Sequence, residues 1–317
     1  MQQRILDEAT DTRVSTLCLG AMPFGTTVDE GTAFAILDRF VEAGGTTIDT
    51  ANCYSFWVPG GEGGESEAVL GRWLAERGGR DRLTIASKVG SGPGPDGGAE
   101  GLAPAVIRTQ LEGSLRRLGT DHLDLYYAHR EDRATPDEET LAAFHEAVAD
   151  GRVRTLGASN HAAWRLAETR SLAERRGWTP YAAVQQRYSY LRPRPNTSLP
   201  EGGHVHAGDE LLDYVRSHRL TMFAYSTLLW GAYGRPGKPL PEHYDHPGTD
   251  RRLRALSKVS EELGVTPIQV VLAWLIGGEP PVVPIIGVSS VAQLDECLAA
   301  ADLELPGELR RTLDEAV

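Results

Sequence analysis

Four ionisable side chains of different types close, or closely follow, short apolar stretches. Asp49 ends Thr-Thr-Ile-Asp, Tyr54 follows five residues later, Lys88 ends Thr-Ile-Ala-Ser-Lys, and His129 ends Leu-Tyr-Tyr-Ala-His. Taken singly each has an ordinary reading: a turn cap, a packing ring, a solvated lysine, a satisfied histidine. Taken together they make a proton-delivery set. A tyrosine with an ordinary pKa of about 10 is a poor donor at neutral pH. An ammonium held beside it by a carboxylate would favour its phenolate and lower that value.

The four groups meet only if separate elements bring them to one face, and the alternation of the chain supplies such elements. Residues 3–7 and 12–16 read as a hairpin. Strand-like runs then recur at 17–20, 46–50, 83–88, 123–127, 153–158, 182–186, 220–225 and 282–286. Helical apolar spacing lies between them at 29–43, after the loop ending at Gly64 through Leu74, and at 104–118, 136–149, 162–174 and 209–218. Helices near 251–263 and at 267–276 follow the seventh strand, and 290–301 follows the eighth. Eight strand–helix units predict an α/β fold of the (β/α)8 TIM barrel type, one domain over 1–317, rather than an open doubly wound sheet. The N-terminal hairpin, the extra helix after strand seven and a final helix at 306–316 are additions to it. The long irregular stretches 52–64, 90–101, 187–208 and 230–250 all follow strands, so they belong to the face where barrels of this kind keep their sites.

Lys plus Arg number 32 against 44 Asp plus Glu, and the resulting charge of −12 argues against nucleic acid or an anionic membrane as a partner. Hydrophobic residues at 41% and charged residues at 24% suit a globular chain with a sizeable core. Cys18, Cys53 and Cys297 form neither a disulfide framework nor a metal-ligand spacing, which predicts a reducing, cytoplasmic setting and no metal. No basic lead with an apolar core opens the chain, and no apolar run reaches the roughly 18 residues of a membrane helix. His204 and His206 fall in a long loop and, with His243 and His246, read as solvated loop histidines.

Further stretches match in order: Gly20-Ala21-Met22 after the first barrel strand, Gly-Glu-Ser-Glu at 64–67, Arg-Leu-Gly-Thr-Asp-His-Leu-Asp-Leu within 111–125, and Leu-Gly-Ala-Ser-Asn at 156–160. With the four ionisable residues, this combination resembles the aldo-keto reductase family over nearly the whole chain. The resemblance implies that Asp49, Tyr54, Lys88 and His129 are catalytic, with Tyr54 as general acid. It implies that a reduced nicotinamide cofactor transfers a hydride to an aldehyde or ketone, a small-molecule carbonyl substrate. Cofactor contacts carried over by the resemblance are Gly20, Ala21, Met22 and Asp49, then Ser159, Asn160 and Gln185 at the carboxamide, and Tyr225 against the nicotinamide ring. Ser226, Thr227 and Leu228 fall at the pyrophosphate, and Gly287, Ser289, Gln293, Glu296 and Cys297 at the adenosine end. An uncharged Ser, Asn and Gln set suits an amide ligand, and an aromatic face suits a flat ring. NADPH is the expected cofactor, with NADH as the alternative. Gln293 and Cys297 stand where some relatives carry arginine and many carry asparagine, so Arg235, Arg251 or Arg252 would supply charge for a 2′-phosphate. Pocket shape would come from Phe56-Trp57-Val58, from Arg130 onward, from 188–195 and from Trp230. Two other classes stand beside this reading: a non-catalytic nicotinamide-binding regulatory subunit, and a metal-dependent barrel hydrolase using His129, Asp49 and His161.

Overall fold

The computed structural model describes residues 1–199, 202–235 and 237–316. Strands β1 (Gln3–Asp7) and β2 (Thr12–Ser15) pair antiparallel, Gln3 opposite Ser15, across a turn that holds Asp11 at φ 48°. The hairpin lies across the amino-terminal mouth of a barrel. Thr84 Oγ1 donates to Arg13 O at 2.6 Å, Ser15 N donates to Thr47 Oγ1 at 2.9 Å, and Thr12 Oγ1 lies 3.3 Å from Thr155 Oγ1. One mouth is therefore plugged, which leaves the other for chemistry.

The barrel strands are β3 (Cys18–Gly20), β4 (Thr47–Asp49), β5 (Thr84–Val89), β6 (Leu123–Ala128), β7 (Val153–Ser159), β8 (Tyr181–Arg187), β9 (Thr221–Tyr225) and β10 (Val282–Gly287). They close in the parallel order β10-β3-β4-β5-β6-β7-β8-β9. Each helix follows its strand: α1 (Glu30–Glu42), α2 (Glu65–Arg77), α3 (Pro104–Leu118), α4 (Asp137–Ala149), α5 (Ala163–Arg176) and α6 (Asp209–Ser217). Then come α7 (Pro247–Leu263), α8 (Pro267–Ile276), α9 (Val291–Leu298) and α10 (Gly307–Asp314). The helices form where capping and spacing agree. Asp29 accepts from Thr32 N at 3.0 Å and α1 buries Ala33, Ile36, Leu37 and Phe40, while Thr266 and Gln269 form a reciprocal capping box on α8.

The core has two layers. A large cluster lies between strands and helices, and a smaller one fills the barrel with Cys18, Ala86, Leu125, Tyr127, Ala183, Phe223, Val283 and Ile285, floored by Leu6 and Val14 of the hairpin. All six residues of β5 and of β6 are buried, as parallel strands covered on both faces should be. Lys88 is thus a basic residue buried in an otherwise uncharged strand.

The start of α7 and the end of α9 differ from expectation by three residues or more. Helix α7 begins at Pro247 rather than near residue 251, because Pro-Gly, which reads as loop punctuation, is here the first turn of a helix, where proline lacks no needed donor. Helix α9 stops at Leu298, three residues before 301, as the chain turns through 299–302. No single helix among the described residues is long and apolar enough to cross a membrane.

Candidate active site

Past Asp49 the chain stays hydrogen-bonded to β5, through Thr50 N to Ala86 O at 2.9 Å and Asn52 N to Lys88 O at 3.2 Å. This keeps Asp49 and Lys88 side by side, and a turn with Ser55 at φ 74° brings Tyr54 back over them. Lys88 Nζ lies 2.6 Å from Asp49 Oδ2, 2.7 Å from Thr50 O and 2.6 Å from Tyr54 Oη, so its three donors have three acceptors. Asp49 Oδ1 accepts from Gln185 Nε2 at 2.8 Å, and Oδ2 accepts the Tyr54 hydroxyl at 3.1 Å. A buried ion pair is tolerable only when its remaining valences are satisfied in this way.

His129 leaves β6 with its backbone N on Val89 O at 2.8 Å. Its ring stands edge-on to Tyr54, 5.8 Å between centroids, and Nδ1 lies 3.8 Å from Cys53 Sγ. Burial pushes the His129 imidazole well below its ordinary value, and Lys88, His204 and Arg130 push the same way. The imidazole is neutral at neutral pH.

The expected lowering of Tyr54 is not the net effect in the resting protein. Burial raises the phenol well above its ordinary value, and the Asp49 carboxylate raises it further. Lys88 opposes both from 2.6 Å, yet the hydroxyl is already a donor to Asp49, and Lys88 and Asp49 are themselves buried. A neutral phenol and a neutral imidazole therefore face the mouth.

The carboxamide candidates are buried at adjoining strand ends. Asn160, at φ 57°, donates its backbone N to Gln185 O at 3.1 Å, and its Nδ2 lies 3.0 Å from Ser159 Oγ. Tyr225 Oη and Val205 N both donate to Asn160 Oδ1, at 2.6 and 3.2 Å. Gly20 pairs in register with Gly287, Ala21 is buried, and Met22 is exposed above them. Ser226 turns at φ 54°, Thr227 Oγ1 reaches Ile285 O at 3.4 Å, and Leu228 is buried. Gly287 is open, since a Cβ there would meet nothing within 4 Å. Ser289 N and Oγ both bond Gln293 Oε1, at 3.0 and 3.2 Å, at the N-terminus of α9, with Glu296 half-buried one turn on. An uncharged amide-binding set, a tyrosine face and an open strand end leading to a helix N-terminus fit a nicotinamide dinucleotide. The residues carried from the sequence share the carboxyl-terminal mouth, except that Cys297 is turned into the core, where burial pushes its thiol up to about 12.

The sequence model of the aldo/keto reductase family matches residues 16–317. The chain belongs to this family. It is 35% identical over 321 residues to the uncharacterized oxidoreductase YrpG of Bacillus subtilis, covering 96% of this chain and 93% of that one. It is 34% identical over 328 residues to norsolorinic acid reductase stcV of Emericella nidulans, covering 96% and 79%. It is 30% identical over 344 residues to the aldo-keto reductase AFTS1 of Alternaria alternata, covering 96% and 88%. This aldo/keto reductase is accordingly an oxidoreductase of carbonyl compounds, in a family that normally uses NAD(P)H.

Several contacts of the reductase site had no signal in sequence. The Thr50 carbonyl that receives Lys88 is backbone, and Ser66 holds the side chain of the same residue, with Oγ 2.7 Å from Thr50 Oγ1 and 2.8 Å from Ala21 O. Ser66 lies within Gly-Glu-Ser-Glu, so the motif was visible but its purpose was not. The loop histidines are also not simply solvated. His204 packs on Tyr225 at 5.3 Å, His243 is buried, and His206 is lowered by burial to about 4. Of the loop arginines, Arg252 is buried, donating to Tyr190 O at 3.1 Å and stacked over that ring. His161 turns Nδ1 toward Ser159 O at 2.8 Å, and among the described residues no three His, Cys, Asp or Glu are grouped to hold a metal.

Proposed function

We propose that this aldo/keto reductase uses NADPH to reduce an aldehyde or ketone to the alcohol, with Tyr54 as general acid. The observation that carries the reading is the position of Lys88 Nζ, 2.6 Å from both Asp49 Oδ2 and Tyr54 Oη. The bound cofactor would supply the hydride to the carbonyl carbon. As charge grows on the carbonyl oxygen, Tyr54 turns its proton from Asp49 to that oxygen. Lys88 faces the phenolate so formed, and Asp49, steadied by Gln185, keeps Lys88 in place. His129, neutral, gives the same oxygen a hydrogen bond and sets its angle. The raised pKa of Tyr54 keeps the acid loaded before substrate arrives. Ser159, Asn160 and Gln185 would hold the carboxamide, and Tyr225 would face the ring.

Support for NADPH comes from Arg235. It is half-buried, has no acidic partner among the described residues, and lies close enough to pull down the Cys297 thiol that burial and Glu296 raise. Gln293 is occupied by Ser289 and Arg252 faces inward, which favours Arg235 over Arg252 as the cation for a 2′-phosphate beside α9. Carbonyl-dependent oxidation of each cofactor tests this, together with cofactor binding read by tryptophan fluorescence. NADPH should bind at least about tenfold more tightly than NADH, the low end of a charge-assisted bond, and Arg235→Ala should erase most of that difference. A preference for NADH would overturn the phosphate assignment, and oxidation of neither cofactor with a broad set of aldehydes and ketones would overturn the reduction.

A further inference from the structure

Large apolar side chains left exposed are not spread evenly over this protein. Seven are exposed among the described residues, and six of them, Met22, Phe56, Trp57, Trp164, Val205 and Trp230, lie on segments leaving the carboxyl ends of barrel strands. Trp57 stands edge-on to Tyr54 at 6.5 Å and to Phe56 at 5.1 Å, so this apolar rim begins beside the proposed acid. Concentrated exposed apolar surface marks a binding site.

Among the described residues, a cation of this rim, Arg130, has no acidic partner. Arg130 directly follows His129, is half-buried, and makes no side-chain hydrogen bond or ion pair among the described residues. Its guanidinium is pressed against Gly203, where a Cβ would come within 2.3 Å of its nearest nitrogen. The carboxylates next to it in sequence are committed elsewhere: Glu131 to Ala162 N and Arg133, Asp132 to Leu102 N and Thr135. Neighbouring arginines are paired, Arg133 with Glu131, Arg165 with Asp137, and Arg192 with Asp209. Lys88, the other cation near His129, is compensated by Asp49. A partly desolvated guanidinium fork without an acid matches a carboxylate in geometry and charge. In a chain of net charge −12, such a mouth would also be a local attraction for anions that the rest of the surface repels.

We infer that Arg130 recognises an acidic substituent on the substrate, so that the carbonyl compounds reduced here are aromatic or similarly flat apolar aldehydes and ketones bearing a carboxylate or comparable anion. The inference rests on the reduction proposed above and narrows its substrate class. The test compares 4-carboxybenzaldehyde with benzaldehyde, in kcat/KM and in a turnover-independent fluorescence titration. The wild-type protein should favour the carboxylated compound by about tenfold or more in both readouts, the scale of one charge-assisted hydrogen bond. Arg130→Met should bring the ratio close to one, and Arg130→Lys should keep only part of it. A wild-type ratio near one, or a ratio that survives Arg130→Met, overturns the inference. If neither aldehyde is reduced, the reduction reading falls, while the titration still decides whether Arg130 selects the carboxylate.

Discussion

Tyr54 is under opposed pressures, and their balance is the central residue-scale fact of this site. Burial and the Asp49 carboxylate hold its proton on, while the Lys88 ammonium, 2.6 Å away, stabilises the charge left when the proton departs. On the proposed mechanism, an acid arranged like this would be loaded at rest and would release its proton when a developing anion competes for it. Lys88 is also structural, because it compensates a buried carboxylate. Lys88→Met therefore strands Asp49, and breaking a buried pair from one side costs about 3–5 kcal/mol. The variant should unfold at clearly lower denaturant as well as lose activity. An unchanged unfolding midpoint would show that Asp49 finds another partner. The residue types of the tetrad could be read from the sequence, because Asp, Tyr, Lys and His at successive strand ends are chemically unusual together. The sign of the net shift at Tyr54 could not, since it depends on how dry the pocket is.

At the scale of elements, the site is held from outside the barrel by α2. Ser66 bonds the Thr50 hydroxyl and Ala21 O, and Glu67, fully buried, accepts from Ser87 Oγ at 2.5 Å and Arg117 Nε at 2.7 Å, tying β5 to α3 next to Lys88. This requires α2 and α3 to touch backbone to backbone at Gly71, where a Cβ would lie 2.0 Å from Arg117 O. Gly71→Ala gains about 1 kcal/mol of helix propensity but forces two helices apart, and overpacking costs about 1–3 kcal/mol. The contact is with backbone, which cannot swing aside, so net destabilisation and a lower Tm are expected; an unchanged or higher Tm would mean that α2 shifts freely. Helices and strands themselves were legible from apolar spacing and from buried runs such as Thr84–Val89. The start of α7 was missed because Pro247-Gly248 has the composition of a turn, and only tertiary context shows that it opens a helix.

Over the whole molecule, alternation made the barrel legible, while the packing of its long loops was not. His206 illustrates the difference: a loop histidine by sequence, it is held by burial at about 4. His129 and His161 are lowered as well, first by burial. The unfolded chain takes up protons at these histidines below about pH 6.5, whereas the folded protein does not until lower pH. Stability therefore rises with pH across that window and is lost as pH falls through it. Tm should fall between pH 7 and pH 5, above the range where carboxylates titrate, and His206→Asn should shallow the slope. A flat Tm over that interval would show that these rings are wet. The barrel, its plugged amino-terminal mouth and the apolar rim at the other all direct attention to the proton at Tyr54. The most direct test is Tyr54→Phe, which keeps the ring but removes the hydroxyl, and with it both the transferable proton and the oxygen that accepts from Lys88, measured in hydride-limited single turnovers beside a cofactor-binding titration. Loss of a positioned acid should slow reduction by about 10² to 10⁴ while cofactor affinity stays near wild type. A variant that reduces carbonyls at close to the wild-type rate would contradict the account and move the proton to His129.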